Sequence, residues 1–139
     1  MQKTKHAKQR WDYPQECKGK KVLLIDPDSK NHQLHKHYFK KLRIKLTCTK
    51  SLRHGLWLTQ EEKPNLILTE IYFQGFVEYE HLFLLRKEHY MPIIVQTCLA
   101  DSHYEHLCHA CGSDAYFIKP LLWETYVNTI YNFLLNTGD

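Results

Sequence analysis

The sequence predicts an α/β fold in which five βα units are wound on both faces of one parallel sheet. From Lys21 onward, short apolar runs alternate with longer amphipathic stretches, the pattern of strands and covering helices in repetition. Three of the runs are nearly unbroken in Val, Ile and Leu, as strands covered on both faces must be. Pro64 and Pro92 punctuate the returns from helix to strand.

The first strand is Val22 to Ile25, and Ser29 is placed to cap a helix whose Leu34, Tyr38 and Leu42 share one face. The second strand, Ile44 to Thr49, alternates apolar and polar side chains and is therefore predicted at the sheet edge. Ser51 is expected to cap the next helix, with Leu52, Leu56 and Thr59 inward. Leu66 to Thr69 forms the third strand, followed by a helix built on Leu82 and Leu85. Ile93 to Gln96 is the fourth strand, and its helix runs from Asp101 to Ala110 and stops at Gly112. Ala115 to Ile118 is the fifth, with a closing helix carrying Val127, Ile130 and Leu134.

A length of 139 residues suits one domain with a real core. Apolar residues at 43% with 13% aromatics exclude a disordered chain, and no apolar stretch reaches the roughly 20 residues that span a bilayer. The basic start, Met1 to Arg10, leads into no apolar signal segment, so a cytoplasmic protein is expected. Five cysteines in such a chain argue for reduced thiols. Residues 1–21 carry seven Lys/Arg against two acids, +5, and the remainder twelve against thirteen, −1. The organisation expected is a basic, partly disordered leader over 1–20 and a near-neutral domain over 21–139. The leader reads as a solvated tail, with nucleic acid or an acidic surface as the alternative.

In an open parallel sheet, functional groups gather beyond the carboxyl ends of the strands. Here those positions hold Asp26, Glu70, Thr97 and Lys119-Pro120, so two acids, a hydroxyl and an ammonium converge on one edge. With Leu24-Ile25-Asp26-Pro27-Asp28-Ser29, Lys63 to Ile71, Gly75, Pro92 to Thr97, Cys111 to Tyr116 and Ile118-Lys119-Pro120 in order, the chain resembles the receiver domain of two-component response regulators from residue 21 to about 135. The resemblance implies a flavodoxin-like sheet of order 2-1-3-4-5. It implies a non-enzymatic signalling domain in a phosphorelay.

In that family an Asp at the position of Glu70 accepts a phosphoryl group. A divalent cation is held there by that Asp, by an acidic pair after the first strand and by a backbone carbonyl, here that of Tyr72. Thr97 and Lys119 would contact the phosphoryl oxygens, and Tyr116 would swing inward as the switch is thrown. Two departures fall on the chemistry. Glu70 adds a methylene that pushes its carboxylate into the phosphoryl space, and Pro27 removes the second acid of the pair. Asp26, Glu70 and Tyr72 are left as ligands for weakly held Mg2+, with Asp28 as a substitute if it turns inward.

The expectation is a stand-alone, degenerate receiver in which Glu70 reaches Lys119. Its output would be contact, through the face of the fourth helix, fifth strand and fifth helix, with a histidine kinase, an output protein or a second copy. The plainer alternative makes Glu70 a solvated loop acid neutralised by Lys119, and a slow but working phosphoreceiver is a third. Tyr72, Phe73 and Phe76 crowd the following loop and are expected to cover the carboxylate, form an interface or pack on the third helix. Two histidine clusters, His32-His35-His37 and His103-His106-Cys108-His109-Cys111, raise metal or redox sensing as a competing class beside nucleic-acid binding.

Overall fold

The structure, a computed structural model, describes residues 17–136. β1 (Lys21–Ile25), α1 (Ser29–Lys41), β2 (Lys45–Thr49), α2 (Leu52–Glu62) and β3 (Leu66–Thr69) open the chain. A small hairpin of β4 (Tyr72–Phe73) and β5 (Phe76–Val77) leads into α3 (Glu80–Glu88). β6 (Ile93–Thr97), α4 (Ser102–Ala110), β7 (Ala115–Ile118) and α5 (Trp123–Asn136) complete it. The main sheet is parallel with order β2-β1-β3-β6-β7, which is the expected 2-1-3-4-5 once the hairpin strands are set aside.

Alternation along β1 divides the core. Val22 and Leu24 face one side, joining Leu66, Leu68 and Ile94 under α1 and α5 through Phe39, Val127, Ile130 and Leu134. Leu23 and Ile25 face the other, with Ile67, Ile93 and Val95 under Leu58, Leu82, Leu85 and Cys108 of α2, α3 and α4. Side chains of this size stabilise by roughly 1.5–3 kcal/mol each when fully buried, so both faces of the sheet hold it together. β2, predicted as an edge, is one.

Local chemistry sets the ends. Ser51 caps α2 as expected, accepting from the His54 N–H. α1 is capped by Asp28 instead of Ser29: the Asp28 side chain accepts from the Lys30 N–H, and Ser29 becomes the first helical residue. Gly112 ends α4 at φ 114, a conformation that favours glycine. The chain also joins the domain earlier than residue 21. Cys17 is buried in the core, and the Gly19 N–H donates to the Arg43 carbonyl at 2.9 Å. The leader up to residue 16 and the last three residues lie outside the described residues. Among the described residues no helix is long and apolar enough to cross a membrane.

Candidate functional site

The parallel ladders deliver three charged side chains to one corner. The Asp26 N–H donates to the Thr49 carbonyl, the Glu70 N–H to the Ile25 carbonyl and the Lys119 N–H to the Thr97 carbonyl, at 2.8–2.9 Å. Each residue therefore stands one step past its strand with its direction fixed. Lys119 then bridges both acids: its ammonium donates to Asp26 Oδ2 at 2.8 Å and to Glu70 Oε1 at 3.0 Å.

No carboxylate oxygen is left idle. Asp26 Oδ2 also accepts from the Asn31 amide at 2.8 Å, and Oδ1 accepts from the Asp28 N–H at 2.8 Å. Glu70 folds back so that Oε2 takes the N–H groups of Ile71 and Tyr72 at 2.8 and 3.0 Å. The side chains of Asp26 and Glu70 are only 1% and 7% exposed, so pairing is what makes their burial tolerable. For Lys119, burial pulls the pKa down, but hydrogen bonding to Asp26 and the charges of Asp26 and Glu70 outweigh it and leave it raised.

No protein-family model matches the sequence, and no curated protein does. Solved structures match the fold closely. A two-component response regulator from Clostridium difficile superposes with a TM-score of 0.80 at 23% identity, covering 84% of this chain and 97% of that one. A CheY-like receiver domain protein from Methanospirillum hungatei gives 0.78 at 23%, over 84% and 94%. The BeF3-activated N-terminal receiver domain of Klebsiella pneumoniae RstA gives 0.77 at 20%, over 82% and 97%. The chain has the receiver fold.

Within that receiver fold, Thr97 and Tyr116 stand near the corner but bond elsewhere. The Thr97 hydroxyl accepts from the Leu99 N–H at 3.4 Å, and the Tyr116 hydroxyl donates to the Leu99 carbonyl at 2.6 Å. Burial raises the Tyr116 pKa, so its proton stays in that bond. A magnesium ion wants near-octahedral oxygen donors, and at Asp26 and Glu70 it would meet carboxylates that each already accept three hydrogen bonds, one of them from the Lys119 ammonium, which it would have to displace. Asp28 does not turn inward, because its Oδ1 is the α1 cap. Tyr72 contributes its N–H to Glu70 and is 46% exposed.

The crowded loop is the hairpin. Gln74 and Gly75 both have positive φ, 49° and 88°, as a two-residue mirror-type turn requires. Its aromatics divide: Phe73 is buried edge-on to the His81 ring of α3, while Tyr72 and Phe76 are exposed. The histidine clusters divide too. His32 and His35 are buried, His37 is exposed, and Cys108 lies in the core with its thiol pushed up to about 12 by burial. Among the described residues no group of three or more His, Cys, Asp or Glu is placed to hold a metal.

Sequence reasoning missed what lies behind Asp26. The Asn31 amide also donates to Gln96 Oε1 at 2.7 Å, and the Gln96 amide donates to the Tyr126 hydroxyl. Tyr126 in turn lies 2.7 Å from His35 Nε2, while His35 Nδ1 lies 2.9 Å from the Asn31 carbonyl. These bonds close if His35 is neutral, with Nδ1 donating and Nε2 accepting; burial accordingly lowers its pKa to about 4. A closed polar ring thus ties the corner to α1 and α5 through the core. A second buried imidazole, His81, contacts Thr69 Oγ1 at 3.1 Å and is likewise held near 4 by burial.

Proposed function

We propose that the chain is a receiver-like signalling module that works by protein contact and is held in one state, without being cycled by phosphorylation. The Lys119 bridge between Asp26 and Glu70 carries this reading. In-line attack on a phosphodonor needs a free, well-placed carboxylate oxygen, and orientation of that kind is worth about 7–11 kcal/mol. Glu70 offers none: one oxygen is held by the ammonium and the other by two N–H groups. Its negative charge beside Lys119 supplies part of what a phosphoryl group of about −1.5 to −2 would bring.

The Tyr116 bond to the Leu99 carbonyl supports a single state, since it ties the aromatic to the β6–α4 connection. In this reading output passes through α4, β7 and α5, where Leu107, Ile118 and, in the turn just before α5, Leu122 are exposed. The partner is a histidine kinase, an output protein or a second copy. Incubation with acetyl phosphate and magnesium, followed by intact mass and peptide mapping, tests it. Wild type is expected to stay unmodified at Glu70. Glu70→Asp, which withdraws the carboxylate by one methylene, is the paired sample. Phosphate mapped to Glu70, taken up as fast as by that variant, ends the reading.

A further inference from the structure

A cavity of about 200 Å³ opens between the first turns of α1 and the connection from β7 to α5. It adjoins the acid corner, since Lys119 and Asn31 form part of its wall. Sites for drug-sized molecules run to roughly 300–1,000 Å³, and about 200 Å³ is the share of about seven waters. Its occupant is therefore one small molecule.

The polar groups of the wall have bonding capacity that nothing among the described residues uses. Asn31 is only 6% exposed, and its amide protons go to Asp26 Oδ2 and Gln96 Oε1, while its Oδ1 accepts from no described group. A buried acceptor without a donor is costly, so a ligand that supplies one is favoured. The Lys119 ammonium has three protons and gives two to Asp26 and Glu70, so one remains. On the rim, the Asp28 carboxylate uses Oδ1 to cap α1 and keeps Oδ2, and the exposed Lys30 forms no ion pair among the described residues.

The rest of the wall is apolar and already in place. Trp123 stacks on Tyr38 with centroids 4.5 Å apart, and the rings of His35 and Tyr126 meet it edge-on at 5.0 and 5.2 Å. Leu34, 47% exposed, is the one exposed large hydrophobic of α1 and lines the same cavity. Charge narrows the ligand further. Asp26, Glu70 and Asp28 stand against Lys30 and Lys119, three acids to two bases, so a lone anion meets a net −1 surrounding and a lone cation meets two ammonium groups. A molecule carrying both charges beside an apolar body answers every group in the wall.

We propose that this cavity binds a free apolar α-amino acid, its ammonium received by Asn31 Oδ1 and the Asp28 carboxylate, its carboxylate by Lys30 and Lys119, and its side chain by Leu34 and Trp123. This goes beyond the contact reading above and does not depend on it, because Lys119 gives only its third proton and keeps its bridge. Isothermal titration calorimetry of the full chain with L-leucine tests it, with L-alanine, leucinamide and isocaproate as paired ligands. L-Leucine is expected to saturate one site below about 10 mM, in keeping with its few atoms. L-Alanine should bind about tenfold more weakly for want of apolar contact. Leucinamide, which carries its ammonium as the first residue of a peptide does, and isocaproate, which has only the carboxylate, should each lose about tenfold or more, since each leaves a charged group unmatched. Lys30→Met, at an exposed position, should weaken L-leucine about tenfold and leave leucinamide unchanged. Asp28→Asn, which keeps a competent cap for α1, should weaken L-leucine and leave isocaproate unchanged. Amide shifts in NMR titrations should change at residues 28–34 and 119–123 and at the Trp123 indole. Absence of saturation, leucinamide or isocaproate binding as tightly as L-leucine, both variants with wild-type affinity, or shift changes confined to other residues would each overturn the proposal.

Discussion

Charge is treated in opposite ways at the acid corner and along the β2 edge. At the corner, Asp26 and Glu70 are buried, Lys119 is half-buried over them, and every carboxylate oxygen is engaged by a donor. Along the edge, Lys36, Lys40, Arg43 and Lys45 are exposed and form no ion pairs among the described residues. Burial makes the difference: an ion taken from water costs several kcal/mol unless it is paired and hydrogen-bonded, whereas an exposed ammonium is content with water. A lysine is therefore a structural cation in one place and an available ligand in the other.

The same substitution in both places gives the largest contrast. Lys119→Met leaves two carboxylates facing each other without their cation, so it should lower unfolding free energy by about 3–5 kcal/mol. Lys40→Met should stay within about 0.5 kcal/mol of wild type. Urea unfolding of the two variants side by side measures this, and equal losses would break the comparison.

Acidification should also act on the interior and spare the edge. His35 and His81 fall from 6.5 to about 4 on folding, chiefly through burial. Between those values the unfolded chain binds more protons. The stability of the neutral rings is thus complete above pH 6.5 and drains away as pH falls towards 4, by up to about 3 kcal/mol per ring. Urea midpoints taken from pH 7 to 4 should fall steadily, and His81→Gln should remove about half of the slope. A flat profile would mean that the folded protein accommodates both imidazolium ions.

What the sequence made legible follows the same division. Strands and the residues at strand ends were readable from the apolar runs, which fix Asp26, Glu70 and Lys119 without reference to neighbours, and the sheet order followed from the resemblance to receivers. The ring behind them was not. Asn31, His35 and Gln96 look like solvent-facing residues until the fold brings Tyr126 to them from α5. Asp28 and Ser29 are both competent caps, and the bond from the Asp28 N–H to Asp26 accompanies the choice of Asp28. The hairpin was overlooked because Gln74-Gly75 is a weaker turn signal than Asn-Gly. The basic edge escaped because the domain was summed as one body; dividing its charge by sheet position would have found it.

Removing a single hydroxyl from the ring gives a smaller effect. Tyr126→Phe strips the acceptor from the Gln96 amide and the donor from His35 while keeping the ring's packing on Phe117 and Trp123. The expected cost is about 1–3 kcal/mol, the penalty of leaving buried polar groups unmatched. Chemical denaturation reads it directly. A variant as stable as wild type would show that the ring is dispensable and that the corner stands without its support.

The smallest effect is also the one whose sign is most telling. In the parallel register Lys21 lies beside Lys45, so two ammonium groups of like charge occupy neighbouring strands at the basic end of the edge. Side-by-side like charges destabilise a sheet by roughly 0.2–1 kcal/mol relative to neutral pairs, and surface repulsion is screened as the Debye length shrinks from about 8 Å at physiological salt to about 3 Å at 1 M. Lys45→Glu turns that repulsion into attraction. It should raise the unfolding free energy, read from urea titrations, by about 0.5 kcal/mol in low salt and lose the gain at 1 M. A gain that salt abolishes is what two solvated like charges on neighbouring strands predict; a fall in stability would mean that Lys45 serves the fold as Lys119 does.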